Sequence, residues 1–293
     1  MDPGALPPSW IAIAEHPAFG AAARRLATNI LALSDADRTL AAVFKDAGHY
    51  ITAMSAAYLD TRGGLTPTLL RQVCASTGLL TANRAAALID FMLHIGVLRH
   101  GEGNGYRITA GFQQSWRQHL QSALAAAEVL DPTLAEVRTA LEAPQVYHAF
   151  LGTQVNRLYS LARTVDPFPN LRASFLHPLA GCSILHTLTL ACTDATFTPI
   201  ESAHLPLAWL AERFGVSQPH VRRLLKRAEA NRFLVHLGPS RRALHPEGFP
   251  SIRYHYAAQL AELVECGRII RAEQASLLGK NDTLEAYPIL APA

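Results

Sequence analysis

One order of elements occurs twice in this chain: helix, glycine turn, helix, hairpin. That repeat constrains the fold more than any single residue does. Residues 70–100, LRQVCASTGLLTANRAAALIDFMLHIGVLRH, align with residues 207–236, LAWLAERFGVSQPHVRRLLKRAEANRFLVH. Gly78 falls opposite Gly215, the first copy has one extra residue in the turn, and Thr81 then falls opposite Ser217. Leu88-Ile89 matches Leu224-Leu225, Val97-Leu98 matches Phe233-Leu234, and His100 matches His236. Upstream, residues 44–61 resemble residues 175–194.

Each copy reads as an apolar helix (49–61; 178–192), a short helix (67–76; 206–214) and a glycine turn. Thr66 as N-cap and Pro67 at the first helical position open the short helix of the first copy. A second helix starts at the hydroxyl of Thr81 or Ser217. Two short strands follow around a Gly/Asn turn (97–109) or a Gly-Pro turn (233–245). Long helices close the copies at 111–130 and 250–278, and 134–163 reads as one more. Ala and Leu are abundant and long β-branched runs are rare, which suits a mainly helical chain with small β-wings.

Helix, turn, helix and hairpin make a winged helix-turn-helix. The stretch LAERFGVSQPHVRRLLKRAEANRFL resembles the MarR family of bacterial transcription regulators, with Arg232 where a glycine is usual. GLLTANRAAALIDFMLHIGVL matches the same pattern less closely but keeps Gly96. The resemblance covers roughly 44–110 and 175–246. It implies double-stranded DNA as partner and a small-molecule effector between the core and the outer helices. The aromatic and histidine residues that could line such a site are His49, Tyr50, Tyr58, Tyr147, His148 and Tyr159, and ordinary core packing explains them as well. Family members are usually half this length and dimerise. Two fused copies point instead to a monomer with pseudo-two-fold symmetry, a homodimer being the alternative. The expected division is residues 1–130, a diverged and weakly basic first unit, and 131–293, a second unit with the basic helix.

Charge separates the copies. Between 201 and 255 nine cations face four acids, a local excess of +5 in a chain whose net charge is +3. A localised basic patch is the footprint of a polyanion. On a helical wheel Val221, Leu224, Leu225 and Ala228 form a dry face, while Arg223 and Lys226 lie opposite and His220, Arg222 and Arg227 flank. The first turn of a recognition helix enters the major groove. Ser217, Gln218, His220, Arg222 and Arg223 are therefore placed near base edges, and Lys226 and Arg227 near phosphates. Arg241 and Arg242 fall at the expected wing tip. In the first copy Asn83 and Arg84 are the corresponding candidates, with Arg99 and Arg107 toward the backbone. Asp90 there takes the place of Lys226 and would repel phosphate.

Other signals are weaker. Cys182 and His186 share a helix face, as metal ligands do, but the helix is apolar and the pair reads as core. The four cysteines have no CxxC spacing and read as reduced thiols. Trp209 lies off the buried face of its short helix and reads as covered by a neighbouring helix. No enzyme signature and no cofactor motif is present. The start, MDPGALPPSW, has no signal-peptide pattern, and a soluble cytoplasmic protein is expected. Two other functions fit the repeat. One is a plasmid replication initiator with tandem winged helices. The other is an interaction scaffold that uses the same fold without DNA.

Overall fold

The computed structural model describes residues 6–76, 80–164 and 168–279. These residues are mainly helical, with two small antiparallel sheets. Gly78 of the first expected turn lies outside them. Three helices precede the repeat: α1 (Pro8–Glu15), α2 (Phe19–Ala36) and α3 (Arg38–Val43). The Asp37 side chain accepts hydrogen bonds from the Thr39 and Leu40 amides, which starts α3 where α2 ends.

The first copy runs α4 (Ala47–Thr61), α5 (Pro67–Ser76), α6 (Ala82–His94), β1 (Leu98–His100), β2 (Tyr106–Ile108) and α7 (Ala110–Ala127). Two helices follow where one was expected, α8 (Leu134–Ala140) and α9 (Pro144–Thr164). Pro144 has no amide hydrogen and its ring would clash one turn back, so a continuous helix cannot pass it. A short turn α10 (Pro169–Leu171) leads into a π-helical turn at Arg172–Leu176. The second copy is then α11 (Gly181–Cys192), β3 (Ala203–His204), α12 (Leu207–Arg213), α13 (Gln218–Ala230), β4 (Leu234–Gly238), β5 (Arg241–Leu244) and α14 (Phe249–Gly279).

Backbone bonds repeat between the copies. The Val97 amide donates to Met92 O at 2.9 Å, and the Phe233 amide to Ala228 O at 2.8 Å. The Thr109 amide donates to Val97 O at 3.0 Å, and the His245 amide to Phe233 O at 2.9 Å. The reversal after each second helix needs a left-handed residue: Gly96 at φ 75° and Arg232 at φ 56°. Arg232 carries a side-chain penalty that Gly96 avoids, and its guanidinium grips both oxygens of Glu247 at 2.6 and 2.7 Å. The sheets differ in size. In the second copy β5 lies between β3 and β4. In the first, the third strand is reduced to one bond from the Tyr106 amide to Leu65 O.

The buried core is continuous across residue 130. Helix α14 packs against α1, α2, α7, α8 and α9, and α2 packs against both α7 and α11. Arg24 of α2 donates to Leu190 O and Thr193 O, satisfying carbonyls at the end of α11. Among the described residues no single helix is long and apolar enough to cross a membrane.

A tyrosine–histidine pair ties the first helix of each copy to its closing helix. Tyr50 Oη lies 3.2 Å from His119 Nε2, and His186 Nδ1 lies 2.6 Å from Tyr256 Oη. Burial pulls His119 down to about 4 and His186 down to about 3. Both are neutral in the fold, whereas the unfolded chain takes up protons below about pH 6.5. The unfolded state therefore binds more protons in that range, and stability falls as pH drops from 6.5 toward 4. Each histidine contributes on the order of 3 kcal/mol to that loss once fully titrated. Urea unfolding at pH 7.5 and pH 5.0 checks this: the wild type should be less stable at pH 5.0, and His119→Gln with His186→Gln should shrink the difference, leaving the part due to His255, which burial also pulls down to about 4.

Candidate nucleic-acid interface

Helix α13 begins where Ser217 Oγ accepts the His220 amide at 3.3 Å. Pro219 sits in the first turn, where no amide donor is required. Val221, Leu224, Leu225 and Ala228 are buried, as their spacing demands. The opposite side exposes Gln218, Arg222, Arg223, Lys226 and Arg227. Among the described residues, the side chains of Gln218, Arg222, Arg223 and Lys226 make no hydrogen bond or ion pair.

The ends of α13 are fastened to the segment just before α11. His220 Nε2 donates to Leu179 O at 2.8 Å, which fixes the proton on that nitrogen. Arg227 Nη1 donates to Ala173 O at 3.2 Å, and Asn231 Nδ2 donates to Ser174 Oγ at 2.9 Å. His220 is thus half-buried and occupied rather than presented outward, a correction to its expected place among the base-facing residues. Arg227 remains exposed, with one donor committed. Two of the three acceptors are main-chain carbonyls, which carry no residue-type signal in a sequence.

The β4–β5 hairpin, expected as a wing, departs most from expectation. Its tip is Gly238-Pro239-Ser240, not a pair of arginines. Arg241 is exposed at the foot of β5 and donates to Ser202 Oγ from Nε at 3.1 Å and from Nη2 at 2.5 Å. Arg242 is only 5% exposed. Its Nη1 donates to Leu205 O at 2.8 Å, its Nε is buried without a partner, and burial lowers its pKa from the usual value. Neighbouring residues on a strand point to opposite faces, so two consecutive arginines cannot both face out. That alternation was the missed signal.

Other cations of this region serve the fold. Arg213 pairs with Asp35 at 2.8 Å and stacks over Trp209 at 5.2 Å. Trp209 stays 40% exposed, with that guanidinium over its ring, rather than covered as expected. Arg253 donates to Ala14 O and lies over the Phe19 ring. The local excess of positive charge therefore reduces, as unpaired side chains, to Arg222, Arg223 and Lys226 on one face of α13.

In the first copy Asn83 is exposed near the start of α6, but Arg84 pairs with Asp46 at 3.2 Å. Asp46 is 1% exposed and also lies 2.9 Å from His49 Nδ1. Burial opposes its ionisation, yet His49 and Arg84 outweigh that and hold its carboxyl below the usual range. Arg84 is thus a latch between α4 and α6. Arg107 faces Asp60 at 3.4 Å, and Asp90 is exposed.

Of the remaining candidates, Tyr50, Tyr58, His148 and Cys182 are half-buried, and the others lie in the core. Tyr147 and Tyr159 are fully buried, and Tyr159 Oη lies 2.6 Å from Ser55 Oγ. His186 is engaged by Tyr256, and Cys182 Sγ faces Leu176 O. No group of three or more His, Cys, Asp or Glu among the described residues could hold a metal ion. Comparison with family models, curated proteins and solved structures finds no match to this chain.

Arg241 and Arg242 should separate in experiment. Arg242→Ala leaves Leu205 O without its donor and should destabilise the fold by about 1–3 kcal/mol. Arg241→Ala should leave the urea midpoint nearly unchanged. Equal midpoints for the two variants would refute the buried role of Arg242.

Proposed function

We propose that this chain is a sequence-specific DNA-binding transcription regulator made of two winged helix-turn-helix units, of which the second reads DNA. One observation carries the reading. Helix α13 presents Gln218, Arg222, Arg223 and Lys226 unpaired on a rigid face, between a tight turn and an antiparallel hairpin. Cations left unpaired beside one another repel, and a polyanion relieves that repulsion. Arg222 and Arg223 suit the O6/N7 edge of guanine, Gln218 suits adenine, and Lys226 suits a phosphate. Helix α6, with Arg84 committed to Asp46, serves as a structural counterpart or a weak contact through Asn83.

The reading implies a monomer that carries its own pseudo-dimer and binds one asymmetric site, with the half facing α13 well specified. Gel-shift titration on genomic fragments, with the bound DNA sequenced, tests it. Recovery of repeated sites near an origin would favour a replication initiator, and no retained DNA would favour a scaffold. Arg222→Ala or Arg223→Ala should each weaken specific binding by about 1–3 kcal/mol and affect random DNA less. An equal loss on random DNA would reassign that residue to the phosphate backbone.

Light scattering checks the assembly. The expected mass is near 31.8 kDa. Twice that mass together with a palindromic footprint would mean that two chains each contribute one α13.

A further inference from the structure

The β4–β5 hairpin has a feature that charge does not explain. The strands pair from Leu234 opposite Leu244 to His236 opposite Arg242, and the next pair is Gly238 opposite Arg241. Leu237 is therefore an extra residue in a β-bulge, with no partner across the ladder. A bulge re-aims a side chain. Regular alternation would put Leu237 on the half-buried face of Val235, but it is 51% exposed, the most exposed large apolar side chain among the described residues. Gly238 follows at φ 131°, Pro239 is exposed, and Ser240 is left-handed at φ 59°.

This tip is held stiffly. The Leu205 amide donates to Ser240 O at 2.7 Å, Arg242 grips Leu205 O, and Arg241 grips Ser202. No acid lies between Leu234 and Leu244, and exposed His236 and Arg241 flank the tip. Strand β4 packs directly on α13. The hairpin and the helix that bears the unpaired cations thus pack as one unit.

We propose that the tip is a minor-groove wedge, in which Leu237, backed by Pro239, inserts between base steps and kinks the duplex held by α13. The proposal rests on the reading of α13 as a DNA-binding helix. Apolar side chains inserted this way unstack a step and kink the duplex by roughly 20–90°. Unstacking needs a rigid wedge and an independent anchor, and the hairpin and α13 supply them. The hairpin of the first copy has no such wedge: its turn, Gly101–Gly105, carries Glu102 and no apolar side chain.

The test uses the full chain and a 30-base-pair duplex taken from the fragments it retains, with fluorescent donor and acceptor at the two ends. Wild-type protein should raise energy transfer, and 2-aminopurine scanned through the duplex should brighten at one step. Leu237→Ser should still shift the duplex but return both signals to those of free DNA. Leu237→Phe should keep both. Because Leu237 is exposed, these variants should unfold at the wild-type urea midpoint. A straight duplex bound by wild type, or an unchanged bend with Leu237→Ser, overturns the wedge and leaves the α13 reading standing. Failure of the wild type to bind any duplex overturns both.

Discussion

The architecture depends on burying helix α14. Its residues Ile252, Tyr256, Ala257, Leu260, Ala261, Val264, Cys266 and Ile270 are all essentially inaccessible to water. Such a helix is stable only where other helices cover it, because apolar burial and not propensity supplies most helix stability in proteins. Helices α1, α2, α7, α8 and α9, all earlier in the chain, provide the cover. Gly267 shows how close the approach is: a Cβ there would lie 2.4 Å from a Leu134 methyl carbon. Charged pairs at the rim, Arg157–Glu262 and Arg268–Asp131, align α14 with its neighbours and add little on their own.

A shared core of this kind lets the two copies diverge at their surfaces. Their backbone bonds coincide at the turn into the hairpin, where geometry is demanding. Their exposed helix faces do not coincide. In α6 the one arginine near the start is spent on a buried carboxylate, and removing that partner would leave Asp46 as an uncompensated buried charge. In α13 the first turns carry no such debt. Composition and partners both differ: α6 has one arginine, Arg84, held by Asp46, whereas α13 leaves Arg222 and Arg223 free and commits only Arg227, to Ala173 O.

The hairpins follow the same logic. A third strand, β3, makes the second hairpin stiff, and the buried Arg242 stitches that strand to β5. Arg242 satisfies a main-chain carbonyl, and its desolvation is the penalty for a fixed hairpin. What remains at the tip is apolar, which gives the hairpin a different chemistry from α13.

The sequence by itself determined the repeat, the positions of α5, α6, α12 and α13 within about a residue, and the dry face of α13, because a helical period and N-cap hydroxyls are local properties. It also marked Arg222, Arg223 and Lys226 as outward-facing. The third opening helix and the break before α9 carried usable local signals, in the cap at Asp37 and in Pro144. Tertiary structure alone decided which cations are free. Arg84, Arg213, Arg227 and Arg253 look alike along the chain, yet their partners lie tens to hundreds of residues away and include main-chain carbonyls. Distance in sequence hides such partners, and only the folded chain brings Asp46 to Arg84, Ala173 to Arg227 and Leu205 to Arg242.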